Sequence, residues 1–237
     1  MVTYKVKTAI SKNQLDDLAV QEISSFIRLV IEQKDRCKIS LAGGSTPANV
    51  YKLLGKQELS WDKVDVFLGD ERWIEQTNEM SNAFMIRNTL LLSSPGSQAN
   101  FYSVATTECA NPQASADLYH TQLQNFFASS PPEFDLVLLG LGNDGHTASL
   151  FPYSDSLKVT DKWSTTSFGK GLPRVTLTSP VLSSAKQVLF LVSGSNKKEA
   201  LKRLLDPLEA VDRTPAKLVK TNSEIIILSD IDASYNG

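Results

Sequence analysis

One of the chain's two histidines, His146, sits in the run Gly142-Asn143-Asp144-Gly145-His146. An imidazole can take up or release a proton near neutral pH, and this one is flanked by glycines and an acid. It reads as a general base or acid; the plain alternative is a hydrogen-bonded structural histidine. Three other clusters combine small, flexible and polar residues: Gly43-Gly44-Ser45-Thr46, Gly69-Asp70-Glu71-Arg72, and Ser193-Gly194-Ser195-Asn196-Lys197. Gly43, Gly44, Ser45 and Thr46 before Pro47 suit an anion cradle, with free N–H groups and two hydroxyls at a helix N-terminus. The alternative is an ordinary capped turn, which uses Thr46 and Pro47 but has no need of both glycines and Ser45. Lys197 stands in a first helical turn, where the helix dipole favours an acid; a nearby phosphate or simple solvation accounts for it. Asp70 and Arg72 would serve equally as a salt bridge at a strand end. Arg174, after Pro173, says little by itself.

These clusters need a scaffold that brings them together. Phe134–Leu139 is an almost unbroken apolar run, as expected of a strand buried on both faces. Short strands are expected also over residues 2–7, 39–42, 64–68 and 187–192, with a last one in the C-terminal EIIILSD. Helical spacing runs from Asn13 to Gln33, and further helices are expected from Thr46 as N-cap to Gly55, from Ser81 to Leu92, from Pro112 to Ala128, and after Ser195. Residues 93–100 and the polar stretch 153–173 read as loops, the second beside the site. Alternating strands and helices predict an α/β fold, a mostly parallel sheet with helices on both faces, in a single domain over residues 1–237. In such a sheet, ligands bind in the crevice at the carboxyl ends of the strands, and all four clusters follow strands.

Composition narrows the function. With 24 basic and 26 acidic residues, net charge −2, there is no positive field to draw in nucleic acid or an anionic membrane. Cys37 and Cys109 are too few for a disulfide framework, and two cysteines with two histidines argue against zinc. The N-terminus lacks the apolar core of a signal peptide, and no apolar run reaches membrane-spanning length. A cytoplasmic, monomeric protein acting on a small molecule is expected. Gly140-Leu141-Gly142-Asn143-Asp144-Gly145 matches a dinucleotide fingerprint, but Pro152 follows too soon for the required helix. No G-x-S-x-G elbow or Walker A sequence is present.

Together, SLAGGSTPANVYKLL, VDVFLGDERW with SNAFMIRNTLL, FDLVLLGLGNDGHTASLFP, and PRVTLTSP followed by FLVSGSNKKEALKRLL resemble the glucosamine-6-phosphate isomerase/6-phosphogluconolactonase family, on its lactonase side. The resemblance covers roughly residues 38–205. It implies the fold of glucosamine-6-phosphate deaminase and ribose-5-phosphate isomerase, and hydrolysis of 6-phospho-D-glucono-1,5-lactone in the oxidative pentose phosphate pathway without metal or organic cofactor. It implies that His146 activates the attacking water and Asp144 orients or polarises it. Gly43, Gly44, Ser45 and Thr46, with Arg174 and Lys197, would hold the 6-phosphate. Asp70 and Arg72 would line the sugar or oxyanion side, and Asn143 and Gly145 complete the substrate loop. The chain departs from the pattern at Trp73-Ile74-Glu75 and at Phe84. The deaminase places a glutamate where this chain has Phe151, which separates the two activities. A non-catalytic sugar-phosphate sensor would keep the cradle but has no use for Asp144 and His146.

Overall fold

The structure, a computed structural model, describes residues 2–127 and 132–231. Its strands are β1 (Tyr4–Thr8), β2 (Cys37–Leu41), β3 (Val64–Leu68), β4 (Asp70–Arg72), β5 (Asn100–Tyr102), β6 (Leu136–Gly140), β7 (Ser164–Gly169), β8 (Leu172–Leu177), β9 (Gln187–Val192) and β10 (Ile225–Ser229). Seven form one parallel sheet in the order β1-β10-β9-β6-β2-β3-β5. Every residue of β3 and four of the five in β6 are buried, so both faces of this sheet are covered, as apolar runs without alternation require. The helices are α1 (Lys12–Lys34), α2 (Ser45–Leu54), α3 (Asn82–Arg87), α4 (Pro112–Phe126), α5 (Ser179–Ser183) and α6 (Lys198–Leu205). The mostly parallel α/β architecture agrees with expectation. Four neighbouring strands, β9, β6, β2 and β3, carry the four clusters to one edge.

The stretch 153–173 is not a loop throughout. After a 3-10 turn at Asp155–Lys158, β7 and β8 form an antiparallel hairpin that pairs with β4 in a second, three-stranded sheet. Lys170 (φ 54°) and Gly171 (φ 79°) make its two-residue turn, the left-handed pair that matches the twist of a hairpin. The strand STTSFG hides because it is polar and only half-buried. Thr46 is likewise not the N-cap of α2. Gly44 holds that position at φ 101°, and no side chain caps the helix. Ser81 does cap α3, its Oγ accepting from Phe84 N, but the helix stops at Arg87 rather than Leu92. Residues 93–100 contain a 3-10 turn at Gly96–Gln98 and lead into β5, a strand too short to show a period. The expected end of α4 at Ala128 lies outside the described residues; the helix is described to Phe126.

Candidate active site

β6 ends at Gly140, and the next residues close on themselves. Gly142 N donates to His146 O (2.8 Å), Gly145 N to Gly142 O (2.9 Å), and Thr147 Oγ1 to Gly140 O (2.8 Å). Within this loop His146 Nδ1 lies 2.5 Å from Asp144 Oδ1, which also accepts from His146 N at 3.2 Å. A carboxylate at Nδ1 fixes the tautomer and leaves Nε2 free to act as a base. Burial raises the Asp144 pKa, but the hydrogen bond and charge of His146 outweigh that and hold it down at about 2. Gly142 is required here: a Cβ on it would overlap the imidazole and stand 2.5 Å from Asp144 Oδ1. Gly145 adopts φ 93° against Thr214, a conformation that side chains disfavour. The His146 ring packs on Phe151, centroids 4.6 Å apart.

The opposite walls are cationic. A cleft of about 390 Å³ is lined by Gly43, Gly44, Ser45, Thr46 and Pro47 at the start of α2, by Asp70 and Arg72 of β4, by His146 and Phe151, by Lys170 and Arg174 of the hairpin, and by Ser193, Asn196 and Lys197 beyond β9. Without a side-chain cap, the first N–H groups of α2 remain available to an anion. Burial, and then Lys170, lower the Lys197 pKa against the pull of Asp144. Burial and the Arg72 charge likewise lower that of Arg174. Asp230 braces the Lys197 turn, accepting from Ser193 Oγ (2.6 Å) and Gly194 N (2.9 Å).

The cleft therefore gathers Gly43, Gly44, Ser45, Thr46, Asp70, Arg72, His146, Arg174 and Lys197 from the sequence expectation. Asp144, Asn143 and Gly145 are not on its lining. Asp144 touches His146 from outside it, and the Asn143 carbonyl accepts from Arg203 Nη2 at 3.0 Å. Asp70 is heavily engaged, taking Ser149 Oγ at 2.5 Å and Asn82 Nδ2 at 3.3 Å. Its neighbour Glu71 is fully buried and accepts from the backbone N of Arg72, Asn82 and Ala83 and from Ser81 Oγ. Burial pushes the Glu71 carboxyl up, and those four donors oppose the rise.

Both cradle glycines have structural reasons as well. A Cβ on Gly43 would overlap the Asn82 side chain, and Gly44 needs its positive φ. Lys170 was missed by sequence reading, though Gly169-Lys170-Gly171 was a usable hairpin signal; Ser193 and Asn196, which also line the cleft, stood in the sequence only as members of the cluster ending at Lys197. The departures at Trp73, Ile74, Glu75 and Phe84 lie off the lining. Among the described residues no group of three or more His, Cys, Asp or Glu is placed to hold a metal ion, and no helix is long and apolar enough to cross a membrane.

A parallel sheet whose strand ends carry a histidine–aspartate pair opposite an uncapped helix N-terminus and basic side chains defines an α/β protein with a cleft suited to an anionic ligand. The chain belongs to the glucosamine-6-phosphate isomerase/6-phosphogluconolactonase family, whose sequence profile matches residues 10–227. It is 37% identical over 235 residues to the 6-phosphogluconolactonase of Synechocystis sp., covering 98% of each chain. It is 40% identical over 206 residues to that of Nostoc sp., covering 86% of this chain and 85% of the relative. The solved 6-phosphogluconolactonase of Trypanosoma brucei superposes with a TM-score of 0.87 at 27% identity, covering 100% of this chain and 99% of that one.

Proposed function

We infer that the protein hydrolyses 6-phospho-D-glucono-1,5-lactone to 6-phospho-D-gluconate, the lactone step of the oxidative pentose phosphate pathway. The observation that carries the reading is the sharing of one cleft by the His146–Asp144 pair and by basic groups suited to a phosphate. The phosphate docks at the α2 N-terminus with Lys170 and Lys197, and its remote binding energy orients C1 beside the imidazole. His146 Nε2 removes a proton from water as the oxygen attacks C1. Asp144 holds the ring and stabilises the imidazolium that forms. The tetrahedral oxyanion collapses, the bond from C1 to the ring oxygen breaks, and the imidazolium returns its proton to that oxygen as the C5 hydroxyl. The carboxyl formed at C1 then ionises.

Phe151 supports hydrolysis over aldose–ketose isomerisation, since an apolar ring lines the cleft at the sequence position where the family resemblance gives the deaminase a glutamate. On this reading the enzyme is a cytoplasmic monomer, and its net charge of −2 supports the absence of a nucleic-acid partner. The deciding experiment is turnover of freshly generated lactone, corrected for spontaneous hydrolysis. His146→Ala should lower kcat about 10²- to 10⁴-fold. Wild-type turnover in that variant would remove the histidine from the mechanism, and sustained ammonia release from glucosamine 6-phosphate would overturn the reaction class.

A further inference from the structure

The loop that carries the base is closed from within but leaves one carbonyl to be held from outside. Gly145 N donates to Gly142 O, so Asn143 and Asp144 are the two central residues of a tight turn, and both are exposed. Asp144 in turn meets His146 Nδ1 at 2.5 Å. An exposed turn tip is where a chain moves most readily, yet this one carries the group that sets the imidazole. Two residues beyond β9 meet the tip. Arg203 Nη2 donates to Asn143 O at 3.0 Å, and Asn196 Nδ2 lies 3.5 Å from Asn143 Oδ1. Among the described residues the bond to Asn143 is the only one the Arg203 guanidinium makes. It has no ion-pair partner there, and its Nε is buried without an acceptor. A guanidinium drawn partly out of water with no carboxylate beside it carries a desolvation cost, and the one contact set against that cost is the hold on this carbonyl.

Arg203 is itself firmly placed. α6 buries Ala200, Leu201 and Leu204, and at its end Lys217 Nζ donates to Leu204 O (3.3 Å) and Asp206 O (2.5 Å). Lys197 immediately precedes α6 and lines the cleft. Six residues separate Lys197 from Arg203, a rise of about 9 Å along a helix. One short helix thus presents a cation to the cleft at its start and fastens the histidine loop near its finish. We propose that Arg203 is a positioning residue for hydrolysis: by holding the Asn143 carbonyl it keeps Asp144, and through it His146, in register with a ligand gripped at Lys197. The inference deepens the lactonase reading and rests on it. It makes Asn143 the anchor point of the loop, where the family resemblance implies a substrate contact.

The test uses Arg203→Met, which keeps an apolar stem but no donor, and Arg203→Lys, which keeps a donor and the charge. Each is compared with the wild type in lactone turnover, inhibition by inorganic phosphate, and NMR of the two histidine rings. Arg203→Met should lower kcat about 10- to 100-fold while KM and phosphate inhibition stay within about twofold, since a misplacement of about 1 Å reaches that size. The His146 ring resonances should shift or broaden. Those of His120, which sits on α4 and accepts from Trp163 N at 3.1 Å, should stay where they are. Arg203→Lys should recover kcat to within about fivefold of wild type, because a single bond to a carbonyl does not need the planar fork. Unchanged kcat or unchanged His146 resonances in the methionine variant would overturn the proposal, as would a lysine variant no better than methionine. Loss of phosphate inhibition in step with kcat would also overturn it, by showing that the substitution unseats α6 and Lys197 together. Should Arg203→Met not fold, Arg203→Gln, uncharged and of shorter reach, replaces it under the same criteria. A wild type that turns over no lactone, with the His146 resonances still moved by the substitution, would refute the lactonase reading and leave the positioning role standing.

Discussion

Replacing Gly142 by alanine isolates the geometry of the histidine–aspartate pair. Gly142 is not among the glycines held at positive φ, so alanine brings no backbone strain there, and the whole effect is steric. Its methyl carbon would fall on the imidazole edge and 2.5 Å from Asp144 Oδ1, where non-bonded carbon contacts need about 3.5 Å. The ring, only 2.0 Å from the added carbon, must therefore retreat by roughly 1.5 Å, and a displacement of about 1 Å can already cost on the order of 10²-fold in rate. If the base is lost altogether, the fall extends to about 10⁴-fold, so the expected loss in kcat corresponds to about 2.7–5.5 kcal/mol. Gly69→Ala is the control. Its Cβ would meet Leu41 O and Ser40 Oγ at an ordinary 3.6 Å, and kcat should stay within about twofold. The assay is initial-rate lactone hydrolysis, with thermal unfolding and inhibition by inorganic phosphate recorded for each variant. A folded Gly142→Ala enzyme that keeps a third or more of wild-type kcat would show that the loop does not hold the imidazole as described.

Other perturbations test separate parts of the site. Asp144 sits at about 2 rather than its ordinary 3.8, so its contribution to stability is complete above about pH 4 and is lost as pH falls toward 2. Asp144→Asn should flatten the stability–pH curve in that window, and parallel curves for variant and wild type would contradict the pairing. Lys197→Ala should raise KM for the phosphorylated lactone about tenfold or more and barely change hydrolysis of unphosphorylated gluconolactone; an equal effect on both substrates would remove it from the phosphate. Glu71→Gln sets an amide donor among four donors that already converge on the carboxylate, and should cost about 2–4 kcal/mol in urea unfolding. A loss below about 1 kcal/mol would mean that the buried network relaxes around the amide.

The parallel sheet was legible because β3, β6 and β9 are buried on both faces and therefore read as apolar runs. From those runs, the convergence of His146, Lys197 and the α2 turn followed from topology alone. The small sheet was not legible. The six residues of β7 mix threonine, serine and phenylalanine, and the three of β4 carry only charge, so neither offers a period to detect. Lys170 was lost with the hairpin. Sequence spacing could not tell that Glu71 turns into a nest of donors while Arg72, its neighbour, lines the cleft, because alternation assigns opposite faces without saying which is which. The glycine pair at residues 43–44 was credited to ligand binding alone, since the close approach of Asn82 to Gly43, 39 positions earlier, leaves no trace in the chain.

The origin of the cleft's walls divides the molecule's labour. The parallel sheet delivers the imidazole, whereas Lys170 and Arg174 arrive on a hairpin whose tip is a two-residue turn. The hairpin's body is tied to β4 by strand pairing, which leaves its two-residue tip as the part that can change alone. On the proposed reading, exchanging that tip should retune which charged tail the cleft admits while the histidine loop stays in place, so new lactone specificities on this scaffold are best sought there rather than around the base.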